Sequence, residues 1–176
     1  MVAYGNDDYS YIIGTVTNNS GRNTEFLKLV ATLYDANGGF LGSEFTYSDL
    51  DVVAPGETTP FKFIMSDFAE FQTFELQAEA SGTSEQPYRL EVKNLRLQGG
   101  SYPAISGQVT NTTGTELEFV KVVFTCYRDG KLADVEFTYA DLDTLARGAT
   151  SPFKSYFTSP YKQPQECEAV AQGQNY

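Results

Sequence analysis

The stretch Glu25-Phe-Leu-Lys28-Leu-Val-Ala-Thr-Leu-Tyr34 returns 93 positions later as Glu118-Phe-Val-Lys121-Val-Val-Phe-Thr-Cys-Tyr127. In the first copy Leu27, Leu29, Ala31 and Leu33 alternate with Lys28, Val30, Thr32 and Tyr34. In the second, Val120, Val122, Phe124 and Cys126 alternate with Lys121, Val123, Thr125 and Tyr127. A period of two with one apolar face is the pattern of a strand that buries one side. Asp35-Ala-Asn-Gly38 and Arg128-Asp-Gly130 come next, and Asn, Asp and Gly at those places supply hairpin-turn chemistry.

The repetition extends outward from this strand. At the same shift Gly14-Thr-Val16-Thr-Asn18 lies on Gly107-Gln-Val109-Thr-Asn111. After one deletion, a shift of 92 lays Glu44-Phe-Thr-Tyr47-Ser-Asp-Leu-Asp51 on Glu136-Phe-Thr-Tyr139-Ala-Asp-Leu-Asp143, and Thr59-Pro-Phe-Lys62 on Ser151-Pro-Phe-Lys154. Over residues 14–35 and 38–62, 25 of 47 positions are identical. The chain is therefore read as a tandem of two homologous domains, 1–82 and 83–176, joined at Ser81-Gly-Thr-Ser-Glu-Gln-Pro87.

Further strands are expected at Tyr11–Asn18, Thr59–Ile64 and Phe74–Ala80, with counterparts at Ala104–Asn111, Ser151–Tyr156 and Cys167–Ala171. About seven short strands in a unit of some 90 residues, with turn signals every eight to twelve residues, predict an all-β chain of two tandem immunoglobulin-like β-sandwiches. The first strand of the first unit, Val2 to Tyr4, is short beside Leu90 to Leu97 in the second. That difference gives an alternative reading, a subunit of a larger extracellular assembly whose first strand pairs with a neighbouring edge.

Composition narrows the functional classes. The 176 residues contain no histidine, which removes the usual base of Ser and Cys hydrolases and the commonest ligand of zinc and haem sites. Acidic residues outnumber basic ones 23 to 12, for a net charge of -11, a balance that disfavours nucleic acid and anionic membranes as partners. The acidity is uneven: residues 1–82 carry 12 acids and 3 bases, and residues 83–176 carry 11 acids and 9 bases. No stretch approaches the roughly 18 apolar residues of a membrane span. Met1 to Asp8 has neither a basic nor an apolar signal region, and an exported mature segment begins in the same way.

Both cysteines, Cys126 and Cys167, lie in the second unit. Their counterparts in the first are read as Leu33 (shift 93) and Leu76 (shift 91), two leucines expected to touch across the sandwich. Two cysteines in their place would stand within bridging reach. A Cys126–Cys167 disulfide is therefore expected, and it points to an oxidising compartment.

The Gly-x-Val-x-Asn start, the Leu-Tyr-Asp strand end at 33–35, the Gly turn and the Pro-Gly-x-Thr-x-Pro-Phe segment at 55–61 resemble the FxLYD domain. The naming motif is divided between the copies: residues 31–35 read Ala-Thr-Leu-Tyr-Asp and residues 124–128 read Phe-Thr-Cys-Tyr-Arg. The later Gly56 and Phe61 recur as Gly148 and Phe153. The resemblance covers nearly the whole chain. It implies immunoglobulin-like sandwiches of exported bacterial and archaeal proteins without catalytic activity, and makes Tyr34 and Tyr127 strand-end structural residues.

Four tyrosines, Tyr34, Tyr47, Tyr127 and Tyr139, are the candidate ligand-binding residues, because outward tyrosines offer large contact area at modest entropy cost. The repeated Phe-Thr-Tyr-x-Asp-Leu-Asp carries two carboxylates per copy. These fall short of a calcium shell, so no metal or cofactor is expected; Phe and Leu of the segment read as core residues, and Asp49 and Asp141 as turn formers. Asn18-Asn-Ser20 and Asn111-Thr-Thr113 fit the glycosylation sequon, and read better as strand-end turns. The expected function is a non-catalytic, extracytoplasmic interaction or spacer module with a protein or cell-surface partner, without nucleic acid or membrane insertion. A glycan or cell-wall-polymer binding module is the alternative.

Overall fold

The computed structural model describes residues 1–6, 8–66, 71–157 and 161–175. It is all-β, with 64% of the described residues in strands, and among those residues no helix is long and apolar enough to cross a membrane. Contacts divide the chain into two compact units, Met1–Glu85 and Gln86–Tyr176. The first holds β1 (Val2–Gly5), β2 (Ser10–Thr17), β3 (Thr24–Tyr34), β4 (Phe40–Tyr47), β5 (Val52–Val53), β6 (Thr58–Met65) and β7 (Thr73–Gly82). The second holds β8 (Arg89–Gln98), β9 (Ala104–Thr110), β10 (Leu117–Arg128), β11 (Lys131–Tyr139), β12 (Thr144–Leu145), β13 (Thr150–Tyr156) and β14 (Glu166–Gln174).

In the first unit β1-β2-β6 form one sheet. The second sheet is centred on β3, which pairs with β4, β5 and β7. Alternation does the rest: Leu27, Leu29, Ala31 and Leu33 turn inward from β3 and meet Ile12 of β2 and Phe61 and Phe63 of β6 in one apolar cluster, which the two sheets share. The second unit repeats this with Val120, Val122, Phe124 and Cys126 of β10 against Ile105 and Val109 of β9 and Phe153 of β13. Its strands form a single hydrogen-bonded path, β11-β10-β14-β8-β9-β13, because β8 pairs with both β14 and β9.

The repeated motif residues hold the strands in place. Asn18 is buried, and its amide donates to the carbonyls of Arg22 (2.7 Å) and Val53 (2.8 Å) while its side-chain oxygen accepts from the Ser20 amide. Asn111 makes the same bonds to Thr115, Leu145 and Thr113. Each Asn carbonyl also accepts from the glycine of the next turn, Gly56 or Gly148, at 2.8 Å. Those glycines sit at φ 76° and 78°, where a side chain is strained. The sequon asparagines are thus buried clasps. Gly14 and Gly107 are glycine for a different reason: a Cβ there would stand 2.5 Å from Phe61 and 2.6 Å from Phe153.

Cys126 and Cys167 form a disulfide, S–S 2.04 Å, with a sequence separation of 41. Two details differ from the sequence reading. The bridge joins directly opposed residues of adjacent strands, β10 and β14, so it lies within one sheet and does not cross the layers. Its counterpart in the first unit is the pair Leu33 and Phe74, so the shift is 93 at both ends. Leu76 instead opposes Ala31. The alignment slipped by two because a two-residue slip keeps every side chain on the same face and leaves the apolar pattern intact.

Candidate binding surface

Residues paired across antiparallel strands point to the same face, so the register of β4-β3-β7 gives the outer surface of that sheet directly. From one end to the other its rows are Tyr47–Lys28–Glu79, Phe45–Val30–Gln77, Ser43–Thr32–Glu75 and Phe40–Tyr34–Thr73. Phe45 and Tyr47 meet edge to face, with ring centroids 6.1 Å apart at 85°, and Lys28 Nζ stands 4.7 Å from the Phe45 centroid. The second unit builds the same group from Phe137 and Tyr139 (6.0 Å, 86°) and Lys121 (5.5 Å). All four rings are exposed. This corrects the expectation that Phe45 and Phe137 are core residues: they stand two positions before Tyr47 and Tyr139, and period two puts each pair on one face.

Only one tyrosine of each predicted pair joins this cluster. Tyr34 lies six residues along β3 from Lys28, roughly 20 Å away at the strand rise. Its hydroxyl donates to Glu75 Oε2 at 3.2 Å. Partial burial, then the Glu75 carboxylate, pushes the Tyr34 hydroxyl above its ordinary pKa. Tyr127 occupies the same place in the second unit and is pushed up by burial, then by Glu168 and Glu166. The segment after residue 160 closes over that end. There Arg128 donates to the Gln163 carbonyl (2.8 Å), and the Gln165 amide donates to the Tyr127 carbonyl (2.8 Å).

The Asp-Leu-Asp segments stitch one seam between the layers. The Asp49 and Asp141 amides donate to the Pro60 and Pro152 carbonyls, both at 3.0 Å. The Leu50 and Leu142 amides donate to Thr59 Oγ1 and Ser151 Oγ, and Thr46 and Thr138 hydroxyls donate to the Lys62 and Lys154 carbonyls. Leu50 is a core residue as expected, whereas Leu142 is exposed. Among the described residues no group of three or more His, Cys, Asp or Glu side chains could hold a metal ion.

Sequence reading overlooked two features. One is a Ser-x-x-Lys spacing at Ser151-Pro-Phe-Lys154. On β13 an odd spacing sends the two side chains to opposite faces: Ser151 is fully buried, and Lys154 lies over the Tyr156 ring at 4.6 Å. The pair is therefore not a nucleophile and its base. The other is Phe26 and Phe119, exposed aromatics at φ 50° and 47°, each at the break in register between β3 and β7 or β10 and β14. A bulky residue with positive φ is unusual. The available signal was a Glu-Phe pair identical in both copies at an outward phase.

Comparison with family models and with curated proteins returns no match for this chain.

Proposed function

We propose that the chain is a non-catalytic extracytoplasmic module of two FxLYD-like, immunoglobulin-like β-sandwich domains, serving as an interaction or spacer unit at a cell surface. The observation that carries the interaction reading is the duplicated Lys-Phe-Tyr cluster. Lys28, Phe45 and Tyr47 in one unit and Lys121, Phe137 and Tyr139 in the other project outward from equivalent register positions. Exposed aromatic side chains are enriched at protein interfaces. The perpendicular rings present an edge beside a face, which suits a contoured protein surface better than a stacked sugar. The split FxLYD motif supports the sandwich assignment, and the disulfide supports an oxidising compartment.

Two measurements test this reading. Intact mass of the protein recovered from its native cells, alkylated with and without reduction, is expected to show a blocked cysteine pair. Two free thiols would overturn the extracytoplasmic assignment. Binding of the chain to intact cells is expected to saturate and to fall at least about tenfold in Tyr47→Ala plus Tyr139→Ala. Absence of saturable binding leaves a spacer, and binding retained by purified wall polymer alone selects the glycan alternative.

A further inference from the structure

The turn between β3 and β4 carries chemistry that the aromatic clusters do not use. Among the asparagines of the chain, Asn37 alone is followed by glycine. Asn37 is exposed, its carboxamide has no hydrogen-bond partner among the described residues, and a Cβ on Gly38 would meet nothing within 4 Å. The other asparagines of the two units are mostly engaged. Those of the clasps, Asn18 and Asn111, are buried and donate twice each, and Asn6, Asn23 and Asn94 donate to Tyr11, Glu85 and Gln108.

Asp35 pins the turn around Asn37. Its carboxylate oxygen Oδ1 accepts from the Asn37 amide (2.8 Å) and the Gly39 amide (2.7 Å), on either side of the Gly38 amide, which itself donates to the Asp35 carbonyl at 3.1 Å. Gly38 stands at φ 79°, a conformation glycine adopts without steric cost. The second unit has Asp129-Gly130 at this place, and Arg128 where the first has Asp35.

We propose that Asn37 is a self-modification site, converted to aspartate and isoaspartate by attack of the Gly38 amide nitrogen, and that Asp35 is the positioning residue that sets the rate. The deprotonated Gly38 nitrogen attacks Asn37 Cγ. The new N–Cγ bond forms, the Cγ–Nδ2 bond breaks, and ammonia leaves with a proton returned through solvent. Water then opens the five-membered succinimide at either of its two carbonyls. One water is consumed and one ammonia released, and nothing is oxidised or reduced. Glycine permits the attack because it places no side chain beside the nitrogen. In the folded turn the Gly38 N–H is engaged, so the reaction proceeds through local opening of the hairpin tip, where opening costs least. Asp35 opposes it twice: its two hydrogen bonds hold the turn closed, and its negative charge disfavours the Gly38 amide anion. The aspartate product carries one more carboxylate and gives the first unit the Asp-Gly dipeptide of the second. The site stands at the far end of β3 from Lys28, and the inference holds whether or not the aromatic clusters bind anything.

The test is incubation of the folded full chain in mildly alkaline buffer at physiological temperature, followed by peptide mapping that locates the exchange of NH2 for OH by mass and separates aspartate from isoaspartate. Conversion at Asn37 is expected to run at least about tenfold ahead of exposed Asn19, which precedes serine, and to yield both isomers. Asp35→Ala is expected to speed it at least about fivefold. Asp35→Asn, which keeps an acceptor oxygen and removes the charge, is expected to fall between, with amide exchange at Leu33 and Gly42 reporting that both variants keep the hairpin. No conversion at Asn37 in the folded chain, under conditions where the urea-unfolded chain converts, overturns the proposal. Conversion at Asn19 as fast as at Asn37 also overturns it. Aspartate without isoaspartate would mean direct hydrolysis and overturns the attack by Gly38. A rate unchanged in both Asp35 variants overturns the role of Asp35.

Discussion

The first and second units share sequence landmarks, buried asparagine clasps and one stitched seam, yet among the described residues a strand linking the two sheets is seen in the second unit and not in the first. In it a ten-residue β8 links the two sheets into one path, and a disulfide ties β10 to β14. In the first, among the described residues, the four-residue β1 pairs with β2 alone, and Leu33 and Phe74 stand where the bridge would be. The same inward pattern of β3 and β10 specifies the strand in both, so the apolar alternation sets the layers while the edge strand sets the closure. Burial follows the edge: residues 78–80 are exposed, and their equivalents 171–173 are buried.

The largest expected difference comes from the disulfide. Cys126 and Cys167 enclose a loop of separation 41, for which chain entropy gives ~4 kcal/mol. Reduction, or Cys126→Ala with Cys167→Ala, is expected to lower the stability of the second unit by up to that amount and leave the first unchanged. Calorimetry resolving two transitions checks this, and an equal fall in both transitions would break the distinction between the units. Removing the clasps tests what they share. Asn18→Ala and Asn111→Ala each strand two carbonyls, those of Arg22 and Val53 or of Thr115 and Leu145, with an expected cost of about 3 kcal/mol in each unit. Unequal losses beyond about 1 kcal/mol would show that the clasp depends on the closure beside it.

Opening the second unit is the next step down. Leu90 is the residue β8 places in the core, at 7% exposure, and Leu90→Ala is expected to cost about 2 kcal/mol, the lower end for a buried leucine. Amide exchange at Ala171–Gly173 should then rise toward that of Ala78–Ala80. If it does not, main-chain pairing alone seals the seam and the leucine is incidental.

Legibility in the sequence followed the same division. Most strands of both units, the hairpin turns and the cysteine pair were readable, because period two and an internal repeat are local signals, whereas the two-residue β5 and β12 are too short to carry a period. The bridge's first-unit counterpart was misread as Leu76, since a two-residue slip costs nothing in apolar pattern. The expectation of Phe45 as a core residue failed because residue type was given more weight than phase: Thr46 bonds the opposite layer, which turns Phe45 and Tyr47 outward. Of the four tyrosines, Tyr47 and Tyr139 stand in aromatic clusters, and Tyr34 and Tyr127 stand beside carboxylates at the far end of the face. Distance along a strand decides which side chains can act together, and residue type carries no such information.

The smallest predicted effect concerns those strand-end tyrosines. Tyr34 has one carboxylate neighbour, Glu75; Tyr127 has two, Glu168 and Glu166, because Glu166 replaces Thr73 in the repeat. Both hydroxyls are held above their ordinary pKa in the folded chain. Each therefore contributes stability that is intact below the unfolded value of about 10 and is lost as pH rises through the folded one. Thermal midpoints from about pH 9 upward should fall in both units, and Tyr34→Phe or Tyr127→Phe should remove part of that fall in its own unit only. Glu166→Thr rebuilds the first unit's arrangement in the second. It should lower the Tyr127 titration toward that of a free tyrosine without changing stability at neutral pH, as read by phenolate absorbance. Because these hydroxyls remain partly solvated, screening keeps the change small. A titration unmoved by Glu166→Thr would mean that burial and Glu168 raise Tyr127 without it, and that the extra carboxylate of the second unit has no electrostatic role.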